Sequence, residues 1–405
     1  MIIHTVKAGE NVLDIARMYG VPPMKIIEDN ALSNPDMTVN GQKIAIFRPT
    51  RTYVVRGGDT LRRVSHRFGV RENELYCNNP SLMGEGKIYP GQLLSIYYDQ
   101  PLNGSIAVDG YVFENFSEEK LLRALPYLTY LTVSGYIYDG NAVNGSPCGV
   151  RVAELASGKG VSLLMRIFLP GDTAGNADAF CDAVVSEAVS GGYSGVTLSA
   201  FRLAQKRPED YAELVFTLKK RLMSNDMILF TETDANSLPG EKAVLGGNIS
   251  DGNVLMYSKT QLSDIPDFSL GEEHVYRAAA EHYENGKVLM DLPCFGMNRC
   301  GAEMRPVTAG EAREIAYRNG CDILYDPDKK ICHFSYHERS GGMWKEREIF
   351  FESPENNEAK LSLCGELGFM GVSFDIERID VASLMMINTM FRKIGGFSYL
   401  LSEGM

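Results

Sequence analysis

A duplication inside the first hundred residues constrains this chain more than any other feature. His4-Thr5-Val6-Lys7-Ala8-Gly9-Glu10-Asn11-Val12 overlays Tyr53-Val54-Val55-Arg56-Gly57-Gly58-Asp59-Thr60-Leu61 at a shift of 49 residues. The correspondence runs on through Tyr19-Gly20-Val21 over Phe68-Gly69-Val70, Asn30 over Asn79 and, after one insertion, Gly41-Gln42 over Gly91-Gln92. A match of this length marks one supersecondary unit used twice. In each copy a short extended segment (Thr5–Lys7; Tyr53–Arg56) enters a Gly-acidic turn. Apolar residues at helical spacing follow (Val12, Ile15, Ala16, Tyr19; Leu61, Val64, Phe68), and Gly20 or Gly69 stops the helix. A second short helix (Pro23–Glu28; Glu72–Cys77) and a closing strand (Lys43–Phe47; Leu93–Tyr97) complete a βααβ unit, with boundaries at residues 1–49 and 50–98.

Asp99-Gln100-Pro101-Leu102-Asn103-Gly104 has linker composition, and a different pattern starts beyond it. Apolar runs alternate with helical segments: Ile106–Phe113, Tyr130–Tyr136, Ser162–Phe168, Gly195–Leu198, Met227–Thr231, Asn253–Tyr257, Val288–Leu292 and Gly371–Phe374. Eight strands separated by helices predict an α/β fold, a (β/α)8 TIM barrel over residues 105–405. Helix signals fall between the runs. Pro208-Glu209-Asp210 opens an amphipathic segment, Thr308-Ala309-Gly310-Glu311 forms a capping box before a helix ended by Gly320, and Ser353-Pro354-Glu355 opens the last helix before the eighth strand. A small α+β insertion is expected at about 297–350, because Ile323–Tyr325, the turn Asp326-Pro327-Asp328 and Ile331–Tyr336 read as a hairpin.

Composition narrows the function classes. Lys plus Arg number 40 against 52 for Asp plus Glu, and a formal charge of −12 opposes a phosphate backbone, so no nucleic-acid partner is expected. The 8 cysteines form no CxxC pair, which favours a reducing site of synthesis. The start, MIIHTVKAGENV, lacks a basic segment followed by an apolar run, and no run of 18 apolar residues occurs. The expectation is a chain made in the cytoplasm, without a signal peptide or a membrane span. No cofactor is indicated. His333 and His337 beside Cys332 lack a third ligand of known position, so metal: none. Lys219-Lys220-Arg221 reads as a solvated helix end.

The repeated residues resemble the LysM module over nearly the whole of both units. That resemblance implies binding of N-acetylglucosamine-containing polymers, peptidoglycan or chitin, in a shallow groove between two loops. Here the loops are Gly9–Val12 with Asn30–Pro35, and Gly58–Leu61 with Asn79–Leu82, giving Gly9, Glu10, Asn11 and Asn30 in one unit and Gly58, Asp59, Thr60 and Asn79 in the other. Backbone amides and carbonyls in Gly/Asn turns can read acetamido and hydroxyl groups without charge. The plainer reading of the same residues is a helix N-cap, and the two are compatible.

The larger domain resembles glycoside hydrolase family 18, in particular the LysM-bearing spore cortex-lytic N-acetylglucosaminidases. Gly110-Tyr111, Met256-Tyr257, Pro293-Cys294-Phe295-Gly296 and Phe350-Phe351-Glu352-Ser353 carry the resemblance by their order. In that family strand four bears Asp-Gly-x-Asp/Asn-x-Asp-x-Glu; the Glu protonates the leaving oxygen and the preceding Asp orients the substrate's acetamido group. The corresponding segment is Gly195-Val196-Thr197-Leu198-Ser199-Ala200-Phe201. It places Thr197, Ser199 and Phe201 at the motif positions, and no Asp or Glu lies between Glu187 and Glu209. Where the family places a Trp on strand eight, Asp375 stands.

Glu232, Asp234, Asp375 and Glu377 are the candidates for a displaced acid. Asp375-Ile376-Glu377, read as continuing strand, would put both carboxylates on one side. Tyr111, Tyr136, Tyr257 and Phe295 are expected to stack on a saccharide. The resemblance implies an enzyme, whereas the motif residues argue against hydrolysis. Three functions stay open: a glycan binder with an inactive barrel, associated by resemblance with the spore coat or cortex; an active N-acetylglucosaminidase with a relocated acid; and an assembly scaffold contacting spore-coat proteins.

Overall fold

The computed structural model describes residues 1–32, 38–83, 86–98, 103–146, 148–234, 246–256, 270–294 and 296–395. Both N-terminal units form as the repeat predicts. In the first, strand Ile2–Thr5 pairs antiparallel with Lys43–Ile46 around helices Val12–Tyr19 and Pro23–Asp29. In the second, Arg51–Val54 pairs with Leu93–Tyr97 around Leu61–Phe68 and Glu72–Asn78. Asn11 and Thr60 cap the two first helices through their side chains, and Gly20 (φ 67°) and Gly69 (φ 68°) end them in the left-handed conformation that glycine adopts without strain. Each unit has its own small core, Val12, Ile15, Ile26 and Ile44 in one and Leu61, Val64, Leu75 and Leu94 in the other.

The eight barrel strands are Ser105–Val112, Tyr130–Tyr138, Ser162–Phe168, Gly195–Ser199, Ile228–Asp234, Gly252–Met256, Val288–Leu292 and Gly371–Asp375. Every neighbouring pair is parallel, and the eighth strand pairs back onto the first from Gly371 opposite Ala107 to Asp375 opposite Tyr111, which closes the barrel. Gly371 is required at that seam, because a Cβ there would stand 1.8 Å from the Ala107 carbonyl oxygen. Ala107, Tyr130, Leu164, Ile228, Phe230, Val254, Leu289 and Met370 fill the lower interior as an apolar plug. A much larger core lies between the strands and the surrounding helices.

The insertion is more elaborate than one hairpin. Strands Gly296–Cys300, Glu303–Pro306, Leu324–Asp326, Ile331–Ser340 and Met343–Phe351 make a five-stranded antiparallel sheet, with helix Ala309–Asn319 on one face. The first N-terminal unit is wedged against it. Asn40 accepts from the Ile323 amide at 2.8 Å, and a Cβ on Gly41 would strike the Ile323 carbonyl oxygen at 1.8 Å. Lys43 pairs with Glu355 at 2.8 Å and lies over the Tyr325 ring. At the junction of both units with the barrel, Lys25 and Asp29 form a buried pair at 2.8 Å. Burial works against the Lys25 charge, and the Asp29 carboxylate outweighs it. The two units are therefore docked onto the barrel and do not trail from it.

Candidate functional site

The predicted groove residues of the two units do matching jobs. The Glu10 carboxylate closes its turn by accepting from the Lys7 amide (3.0 Å) and pairing with His4 Nε2 (2.7 Å). Asp59 repeats this with the Arg56 amide (2.9 Å) and the Tyr53 hydroxyl (2.5 Å). Partial burial works against the Glu10 charge, yet those donors hold its pKa below the usual carboxylate value; the Tyr53 hydroxyl, then the Arg56 amide, lower that of Asp59.

Asn30 and Asn79 are buried clips. Asn79 Nδ2 donates to the Leu75 and Ser95 carbonyls and its Oδ1 accepts from the Ser95 amide, all at 2.8 Å. Asn30 does the same with Ile26 and Ala45. Their side chains are consumed in joining the second helix to the closing strand, which corrects the expectation that they face a glycan. Asn11 and Thr60 spend their side-chain oxygens as acceptors in the caps, and the exposed Gly9 and Gly58 turn their backbones toward solvent at φ 77° and 83°. Of the facing loops, residues 33–35 lie outside the described residues, and Pro80–Leu82 is a 3-10 turn with Pro80 and Leu82 buried.

At the barrel, strand register fixes which side chains point inward. Thr197 lies level with Arg166 on strand three and with Phe230 on strand five, and Phe230 belongs to the interior plug. Thr197 and Ser199 therefore face inward, both buried, and the Thr197 hydroxyl has no partner among the described residues. Phe201 is not the next inward rung. Strand four ends at Ser199, and Phe201 begins helix Phe201–Lys206, half-buried.

The space over strand four is occupied by an ion pair. Arg166 reaches from strand three to Glu232 on strand five, Nε to Oε1 at 2.8 Å and Nη2 to Oε2 at 2.8 Å. This two-pronged contact spans the inward face of strand four and uses both carboxylate oxygens. Burial opposes the Arg166 charge, but Glu232 raises its pKa further than burial lowers it. The guanidinium also lies over the Tyr111 and Phe113 rings, 5.6 and 5.9 Å from their centroids.

Below that pair sits Asp109 on strand one, 2% exposed, accepting from Ser373 Oγ (2.7 Å) and Thr132 Oγ1 (2.8 Å). Burial pushes its carboxyl up to about 6, against the two hydroxyl donors. Asp291 on strand seven accepts from the Tyr111 hydroxyl at 3.4 Å. Sequence reasoning passed over Asp109, Arg166 and Asp291, although the signal was present: each is the only charged residue in an otherwise apolar barrel strand, and a charge there must find partners inside.

The other candidates fall in different places. Asp375 stands half-buried at the mouth, its pKa raised by burial, with Oδ1 accepting from the Glu377 amide at 2.9 Å. Glu377 does not share its face. The strand stops at Asp375, whose carbonyl accepts from the Arg378 and Ile379 amides, and the chain turns back. Glu377 instead clamps the loop after strand one, accepting from the Ser117 amide (2.5 Å) and from Lys120 (3.1 Å). Asp234 ends strand five, half-buried.

Tyr111 is in the mouth, 9% exposed, with one ring face under Arg166. Tyr136 is turned out of the barrel by the irregularity after Val133; it packs edge-on to Tyr193 with the two hydroxyls 2.7 Å apart, so no ring face is open to a sugar. Tyr257 and Phe295 lie outside the described residues. Phe113 and Phe168, 47% and 40% exposed at the ends of strands one and three, are mouth aromatics that the sequence reading missed. Among the described residues, no group of three His, Cys, Asp or Glu could hold a metal ion, and His333 stacks on Phe350. A cavity of about 770 Å³, walled by Arg71, Cys77, Tyr98, Phe391 and Lys393, lies at the opposite end, between the second unit and the strand starts.

Fold and repeat together define the class: a pair of LysM domains set on a closed (β/α)8 barrel. The LysM domain family matches residues 4–47 and 53–96. Over its full length the chain has the fold of the Bacillus megaterium spore cortex-lytic enzyme SleL, with a TM-score of 0.76, 21% identity, and coverage of 97% of this chain and 98% of that one. The SleL of Bacillus cereus superposes with a TM-score of 0.74, again at 21% identity, covering 97% and 99%. A chitinase from Chromobacterium violaceum shares the barrel, with a TM-score of 0.59 and 17% identity over 71% of this chain and 99% of that one. At these identities the likeness is one of fold. A curated relative, an N-acetylmuramoyl-L-alanine amidase of Staphylococcus epidermidis, is 30% identical over 108 residues, 23% of this chain; the chain spans 33% of that protein's length. No described helix is long and apolar enough to cross a membrane.

Proposed function

We propose that this protein binds N-acetylglucosamine-containing glycan, peptidoglycan or a chitin-like polymer, through its LysM pair, and that its barrel does not hydrolyse it. One observation carries the second half: the inward face of strand four offers Thr197 and Ser199 beneath an Arg166–Glu232 pair, with no free carboxyl on that face among the described residues. A positioned general acid contributes about 10²–10⁴-fold in rate, and a hydroxyl or phenyl group cannot replace it at neutral pH. The fold shared with the two SleL enzymes, and the spore cortex-lytic role in their names, support a spore-cortex setting, where spore-coat proteins would be further partners.

A relocated acid has one observation in its favour, the half-buried Asp375 at the mouth with its raised pKa. Co-sedimentation with purified cortex peptidoglycan, alongside calorimetry with N-acetylglucosamine oligomers, tests the binding half. Retention on the polymer and saturable heat are expected; a protein that stays in the supernatant and gives no heat overturns it.

A further inference from the structure

The chain's single tryptophan takes no part in either site described above. Trp344 lies on the long hairpin of the insertion, whose arms pair from Cys332 opposite Phe351 to Ser340 opposite Met343. The two-residue loop Gly341-Gly342 has φ values of 60° and 82°, the sign that a tight hairpin turn demands. Arg347 braces the arms from the helix-covered side, buried, donating to Glu338 at 2.5 Å and to Glu303 at 3.5 Å. Beyond Arg347 the hairpin continues for four residue pairs, about 14 Å at roughly 3.4 Å per residue. On this braced tip Trp344 is 69% exposed.

Alternation puts Trp344 on the sheet face opposite helix Ala309–Asn319, in a row with Arg339, His337 and Glu346. The row leads down to Phe350, where His333 stacks at 6.0 Å and Arg299 lies over the same ring at 5.6 Å. From His337 to Glu346 the tip carries two acids and two bases, so it is locally balanced in a chain of net charge −12. A protein-docking patch needs contiguous apolar surface of a few hundred Å², and charged neighbours interrupt this one. An exposed ring flanked by planar hydrogen-bonding side chains suits a neutral sugar instead: the ring face takes the C–H side of a pyranose while Arg, His and Glu take its hydroxyls.

We infer that Trp344 centres a second saccharide-docking platform on the open face of the insertion sheet, for the polymer that the LysM domains engage. The inference rests on the glycan-binding reading above. Two linked contacts on one long chain raise retention without either being tight. Because no other tryptophan is present, the fluorescence of the full-length protein reports on Trp344 alone. The experiment titrates the protein with the N-acetylglucosamine hexamer and records emission, acrylamide quenching and calorimetric heat together.

The expected result is a blue shift and reduced quenching that saturate with the heat. Trp344→Ala should lower retention on polymer about tenfold, equivalent to about 1.4 kcal/mol, with Trp344→Phe restoring part of it. Heat without any change in emission or quenching overturns the platform and leaves the LysM reading standing. Absence of heat overturns both. Emission that follows protein concentration and ignores sugar assigns the face to a second copy of the chain, and overturns the platform equally.

Discussion

Replacing Asp109 by Asn should make the protein more resistant to unfolding at neutral pH and should remove a pH dependence. The carboxyl titrates at about 6 in the folded chain and near 3.8 when exposed, with burial as the leading cause. Between those values the folded state holds a proton that the unfolded state has released, so this group's contribution to stability falls as pH rises from about 4 to 6 and is flat above. At about 1.36 kcal/mol per pH unit, the difference amounts to about 3 kcal/mol withheld at pH 7. Asn keeps the shape and can still meet Ser373 and Thr132, whose hydroxyls rotate to donate or accept. Urea unfolding of both proteins at pH 4, 5, 6 and 7 provides the assay. The variant's advantage should grow by up to about 3 kcal/mol across that range; a difference that stays constant with pH, or that shrinks as pH rises, refutes the assignment.

Asn79→Ala strands two carbonyls and one amide in a buried site, so a loss of about 3 kcal/mol is expected in urea, with the sugar affinity of the remaining folded protein unchanged by calorimetry. A fall in affinity with little loss of stability would make Asn79 a glycan contact. Arg166→Met alone leaves Glu232 buried and unpaired and should cost about 3–5 kcal/mol, while Arg166→Met with Glu232→Leu should recover most of it. Additive losses in that double-mutant cycle would mean that the two residues do not act as a pair.

The fold was largely legible because its signals are local and repeated. The 49-residue shift fixed both LysM units, and each barrel strand is an apolar run short enough to exclude a buried helix. The insertion was only half legible, since Ile331–Ser340 pairs with a partner strand that opens on the exposed Met343-Trp344-Lys345-Glu346 and then buries a charge, Arg347, so that it carries no apolar alternation there. At the site, register could be read and tertiary partners could not. Thr197 and Ser199 face inward as strand periodicity requires, but nothing in the sequence announces that Arg166 reaches over strand four to Glu232. Asn30 and Asn79 were read as groove residues because the LysM resemblance places them at the start of the facing loops, and a loop position does not say whether the side chain packs or binds. Tyr136 was misread because the irregularity after Val133 shifts which side of the strand it occupies.

Mass-spectrometric analysis of soluble products after prolonged incubation of the purified chain with spore cortex peptidoglycan and with N-acetylglucosamine oligomers addresses the central claim most directly. The account predicts glycan retained on the protein and no newly liberated sugar ends above a protein-free control. Fragments that accumulate with time, and that vanish with Asp375→Asn or Glu232→Gln, would show that a carboxyl from another strand has taken over proton donation.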